Sequence, residues 1–139
     1  MSYLLDTNVI SELRKGQRCN ANVAAWFASV PASTLYLSVL VIGEIRRGIE
    51  RIRLRDVRAA TALETWLTQV VTQHRDRIFP VTQEVAEEWG RMNAIRSLPT
   101  IDSLLAATAK VHRLTLVTRN VTDIVGTGVA YINPFDSPP

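Results

Sequence analysis

Four acidic residues sit where a short apolar run gives way to a helix or a polar turn. Asp6 closes "YLLD", and Glu44 lies in the apolar turn "LVIGEI". Asp102 falls in the first turn of "TIDSLLAATAKVH", and Asp123 follows "LTLVT" by five residues, with Asn120 between. Carboxylates gathered at one rim repel each other by roughly 1 kcal/mol per pair in water, and by several times that near a protein surface. Protonation or a hard divalent cation has to offset this. Oxygen donors with no His or Cys beside them favour Mg²⁺ or Mn²⁺ over zinc. A cation held in this way is the usual tool for phosphodiester hydrolysis. Each acid also has a plainer use: Asp6 as a helix cap, Glu44 as a surface partner of Arg47, Asp102 as a charge on a helix dipole, and Asp123 as a loop residue.

The elements that have to position these acids alternate along the chain. "YLLD" (3–6), "LYLS" (35–38), "RIFPV" (77–81), "LTLVT" (114–118) and "VAYIN" read as strands, and Pro80 marks the third as short or lying at an edge. Helical period follows in "NVISELR", "NANVAAWFASV", "VLVIGEIRRGIERI", roughly 56–73, the stretch after Thr82, and "IDSLLAATAKVH" with Thr100 as its expected N-cap. Near-continuous apolar strands alternating with helices imply a parallel sheet covered on both faces, a three-layer α/β domain. Ligands of such sheets bind outside the carboxyl ends of the strands, where all four acids are expected. The strand order cannot be read from this pattern.

With 139 residues and 47% hydrophobic content, a single globular domain spanning 1–139 is expected. No apolar run reaches the ~18 residues of a membrane span and no signal peptide is evident, so a cytoplasmic location is expected; the single Cys19 agrees. Net charge is +3, and the cations are nearly all arginine, with Lys15 and Lys110 the exceptions. Arginine forks match phosphate geometry, so a polyanionic partner is plausible. "RRGIERIRLRDVR" (46–58) reads either as an RNA-backbone contact through Arg46 and Arg47 or as a solvated helix end neutralised by Glu50 and Asp56. Arg119 lies beside the presumed site and suits either a phosphate or a site carboxylate. His74 and His112 read as surface or capping residues, and Trp26, Trp66 and Trp89 as packing residues.

The segments "LLDTNVISEL", "LSVLVIGEIRRGI", "IDSLLAATAKVHRLTLVTRNVTDI" and "VAYINPF" together resemble a PIN-domain protein, and more narrowly the VapC-type ribonuclease toxin of a toxin–antitoxin pair. The resemblance implies an α/β/α fold with a central parallel sheet of four to five strands, Mg²⁺-dependent endoribonuclease activity (Mn²⁺ substituting), a homodimer and inhibition by a VapB-type antitoxin. Asp6, Glu44 and Asp102 match the acidic triad of that family. Relatives place a further Asp either directly after Thr-Arg, where Asn120 stands here, or three residues later, at Asp123; Asp123 is the expected fourth acid. Thr7, Asn8, Thr118 and Asn120 match small polar positions that support the ligands. Ile124 stands where relatives often carry Phe. The rival expectation is a catalytically silent PIN-fold module that binds RNA or protein, though such a module has no reason to bear the repulsion of the acids.

Overall fold

The computed structural model describes residues 1–137. Strand β1 (Tyr3–Leu5) leads into α1 (Thr7–Leu13) and α2 (Ala21–Ser29). β2 (Leu35–Ser38) is followed by α3 (Val39–Arg53) and α4 (Val57–Gln73), and β3 (Ile78–Phe79) by α5 (Gln83–Ile95) and α6 (Thr100–His112). β4 (Thr115–Val117) and β5 (Tyr131–Ile132) complete the sheet. All pairings are parallel and the order is β3-β2-β1-β4-β5. Right-handed crossovers place α1–α4 on one face and α5–α6 on the other, giving three layers. β3 is an edge strand, which accommodates Pro80 just beyond it.

The sheet is buried because its strands are apolar on both sides. Leu4, Leu5, Leu35, Leu37, Leu116 and Val117 are almost wholly inaccessible. Val41, Ile45 and Ile49 repeat at helical spacing along α3 and pack inward, as do Leu67 and Val70 of α4. α6 is buried around most of its circumference, from Ser103 through Leu105 to Ala109. Its alanines let it lie close against the sheet, so Asp102 sits near the strand ends.

Caps fix where the helices begin. Ser38 Oγ accepts from the Leu40 amide at 3.0 Å, Thr82 Oγ1 from Val85 at 3.2 Å, and Asp56 Oδ1 from Ala59 at 3.0 Å. α6 differs from expectation. Its N-cap is Pro99, with φ −54° and ψ 134°, and Thr100 is already helical. The proline supplies the extended break one residue earlier, and its carbonyl accepts the Ser103 amide at 2.9 Å. α6 ends at Arg113, held at φ 57° in the left-handed region, which turns the chain directly into β4.

His112 is half-buried rather than a fully exposed or capping residue. Its ring stacks on Phe79 at 3.8 Å, and Phe79 stacks on Tyr36 at 5.3 Å. His74 does cap α4, with Nδ1 2.8 Å from the Val70 carbonyl. The tryptophans pack as expected: Trp26 meets Tyr3 edge-on, and Trp89 Nε1 donates to Ser103 Oγ at 3.0 Å. Among the described residues no helix is long and apolar enough to cross a membrane.

Candidate functional site

The sheet order reverses direction between β1 and β4, and the crevice outside the carboxyl ends of those two strands is where an open α/β sheet offers a site. Asp6 stands there. It leaves β1 with its amide donating to the Val117 carbonyl of β4 at 2.9 Å. Its side chain then does two things. Oδ1 accepts the Thr7 amide at 2.6 Å and caps α1, while Oδ2 accepts Thr118 Oγ1 at 2.7 Å and Asn8 Nδ2 at 3.3 Å. The cap and the site residue are one carboxylate. It is only 5% exposed. Burial raises its pKa, the bonds from Thr118, Thr7 and Asn8 oppose that, and Glu44 adds to the rise.

The supporting residues interlock. Thr7 Oγ1 donates to Glu44 Oε1 at 2.6 Å, so α1 and α3 meet across the rim. Thr118 Oγ1 accepts the Asn120 amide at 3.0 Å, and Asn8 Oδ1 accepts the Arg119 amide at 3.2 Å. β4's exit loop is thereby tied to the first turn of α1. Glu44 comes from α3, Asp102 from the first turn of α6, and Asp123 from a short 3₁₀ turn at Val121–Asp123. Asp102 accepts no hydrogen bond among the described residues. Its carboxyl is pushed up to about 6, first by burial and then by Asp6, Asp123 and Glu44 in turn. That ordering reports that all four acids share one electrostatic neighbourhood.

They share it without closing. Among the described residues no group of three His, Cys, Asp or Glu side chains stands in a metal-holding arrangement. The donor set fits a hard divalent cation, since it is oxygen only and one member, Asp102, has no hydrogen-bond partner among the described residues.

Two of the six arginines in the basic stripe, Arg46 and Arg53, are paired with acids. Arg46 pairs with Glu50 at 3.2 Å and Glu64 at 2.5 Å, and Arg53 pairs with the same two glutamates. Glu64 lies on α4, so Arg46 braces two helices, while Arg47 is exposed. Two residues that the sequence did not single out also act on the site. Arg96 donates to the carbonyls of Asp123 and Val125, each at 3.2 Å, tethering the turn that carries the fourth acid. Phe135 lies under the Arg119 guanidinium, 4.6 Å from carbon to ring centre. Nothing local marks Arg96. Phe135 lies within "VAYINPF", but no spacing ties it to Arg119.

The sequence pattern of the PIN domain matches residues 3–122. The chain belongs to the PIN-domain family. Toxin FitB of Neisseria gonorrhoeae is 33% identical over 138 residues, 95% of this chain and 97% of that one. The VapC ribonuclease Y4jK of Sinorhizobium fredii is 30% identical over 139 residues, 96% and 97% of the two chains. A crystal structure of FitAcB from Neisseria gonorrhoeae superposes with a TM-score of 0.86 at 32% identity, covering 96% of this chain and 98% of that one. The three-layer PIN fold, with its parallel five-stranded sheet and six helices, thus agrees with a solved relative.

Proposed function

We propose that this PIN-domain protein is a Mg²⁺-dependent endoribonuclease toxin of a toxin–antitoxin pair. The observation that carries the reading is the convergence of Asp6, Glu44, Asp102 and Asp123, from four separate segments, at the sheet's reversal point. One relative is named a ribonuclease and another a toxin, which supports the same assignment.

Asp6 and Asp102 would hold the cation, with Glu44 and Asp123 beside them to hold a second or to polarise the attacking water. When bound, a divalent ion supplies Lewis-acid chemistry, lowering the pKa of water and neutralising charge on the scissile phosphate. The chain's own part is orientation. Thr118, Asn8 and the Thr7 amide hold the Asp6 carboxylate in one rotamer, and the Thr7 hydroxyl does the same for Glu44. Asn120, whose amide donates to Thr118, would orient water or phosphate. Arg119, exposed and beside the acids, is the phosphate contact; Arg47 is a lesser one, and Arg46 contributes after leaving its glutamates.

A VapB-type antitoxin is the proposed partner; one solved relative is FitAcB and another is FitAB bound to a DNA fragment. Between α1, α2 and α4 lies a groove of about 340 Å³ lined by Leu13, Cys19, Phe27, Trp66 and Val70. It suits the apolar face of an amphipathic segment. The same reading includes a cytoplasmic homodimer.

The test is cleavage of a panel of tRNA and rRNA fragments with Mg²⁺, with chelator, and by Asp102→Asn prepared identically. Metal-dependent fragments absent from the variant are expected. Identical behaviour of wild type and variant would overturn the nuclease reading in favour of a PIN-fold binding module.

A further inference from the structure

Arg119 poses a problem in electrostatics. It immediately follows Thr118, which bonds Asp6, and its amide is bonded to Asn8, which also bonds Asp6, so it leaves the backbone beside the residues that hold the first acid. A mobile guanidinium in that position would swing onto a carboxylate and neutralise part of the cluster. Yet among the described residues no carboxylate lies within salt-bridge distance of it. Its charge is felt by Glu12 of α1, but that carboxylate is engaged by the Asn20 amide at 2.8 Å and Lys15 Nζ at 3.0 Å.

The guanidinium rests on the Phe135 ring instead, at 4.6 Å. That ring is itself held in place. The Phe135 amide donates to Asn133 Oδ1 at 3.0 Å, and its carbonyl accepts Asn22 Nδ2 of α2 at 2.9 Å. Pro134 beside it is buried. Cation–π contacts and exposed ion pairs are of similar strength, so a fixed ring is enough to decide where a flexible arginine spends its time.

We propose that Phe135 is a positioning residue: its ring holds the exposed Arg119 guanidinium off the acid cluster, ready for a backbone phosphate of single-stranded RNA. The inference deepens the nuclease reading and rests on it for the identity of the strand. It assigns the turn after β5 a part in substrate binding.

The experiment compares wild type with Phe135→Leu, Phe135→Trp, Arg119→Gln and the Phe135→Leu/Arg119→Gln pair, reading kcat and KM over a range of salt. Phe135→Leu and Arg119→Gln should each raise KM by roughly tenfold with kcat little changed. Each should also flatten the dependence of log(kcat/KM) on log salt by about 0.7, one single-strand phosphate contact. The pair should lose no more than Arg119→Gln alone, and Phe135→Trp, which keeps a ring, should restore wild-type behaviour. A merely structural Phe135 would lower stability without moving the salt slope. Wild-type KM and slope in Phe135→Leu, or losses that multiply in the pair, would overturn the proposal. If Phe135→Leu fails to fold, Phe135→Met carries the same expectation.

The same variants in the Asp102→Asn background are titrated with fluorescein-labelled single-stranded RNA and read by anisotropy. Should wild type cleave no RNA, the nuclease reading fails. A salt slope that still flattens on loss of the ring would sustain the clamp, and an unchanged one would end it.

Discussion

Asp102→Asn should make the metal-free protein more stable while abolishing cleavage. The carboxyl titrates at about 6 in the folded chain against its usual 3.8, because burial and three neighbouring acids disfavour its charge. Between those values the folded state binds more protons than the unfolded one, so stability falls as pH rises through that window and the full penalty applies above it. The displacement corresponds to a ceiling of about 3 kcal/mol. Asp102 is only partly buried, and solvent screening reduces this to about 1 kcal/mol. Asparagine keeps the shape and removes the charge. Urea denaturation in chelator at pH 7.5 should therefore favour the variant by about 1 kcal/mol, with a melting temperature about 3 °C higher. Acidification through this window should shrink the gain, because the folded carboxyl then takes up its proton first. Saturating Mg²⁺ should reverse the order, since an ion bound only by folded wild type adds stability by mass action. A variant no more stable than wild type at pH 7.5, or a gain indifferent to acid, would refute the electrostatic account of the rim.

Two further substitutions probe the scaffold. Thr118→Val keeps the bulk but removes the hydroxyl that donates to the buried Asp6; it should cost about 1–2 kcal/mol by urea denaturation and depress cleavage, with Thr118→Ser largely preserving both. Arg113→Gly relieves a left-handed conformation at φ 57° after α6 and should stabilise by about 1 kcal/mol, read as a higher midpoint in the same assay with cleavage unaffected.

Much of the site's framework was legible because it follows from local periodicity. An apolar run ending in Asp6, the alternation of strands with helices, and a carboxylate among the hydrophobes around Glu44 all point to one rim of a parallel sheet. Pro80 correctly marked an edge, since a residue without an N–H suits a strand with one free side. What stayed hidden depends on partners remote in sequence. Strand order is set by crossover packing rather than by any single run. Arg46 read as either an RNA contact or part of a helix end neutralised by Glu50, and Glu50 does pair with it, but Glu64, eighteen residues on and in another helix, also meets it. His112 read as a surface residue, yet Phe79 and Tyr36 from two strands build a stack against it. Thr100 has the chemistry of a cap, but Pro99 had already broken the chain. Asp6 read as either a cap or a ligand; it caps α1 through one oxygen, and its other oxygen accepts from Thr118 and Asn8.

That division has an evolutionary consequence. Selection to silence the chain would find the four acids unequal. At position 6 an amide has one acceptor oxygen where Asp6 uses two, so its N–H₂ would face either Thr118 and Asn8, which already donate there, or the Thr7 amide that Asp6 caps. At position 102 an amide offends nothing and relieves repulsion. Lineages that lose activity yet keep a folded, partner-binding protein should therefore have passed through Asp102, whereas changes at Asp6 should be found mainly in genes on their way to being lost.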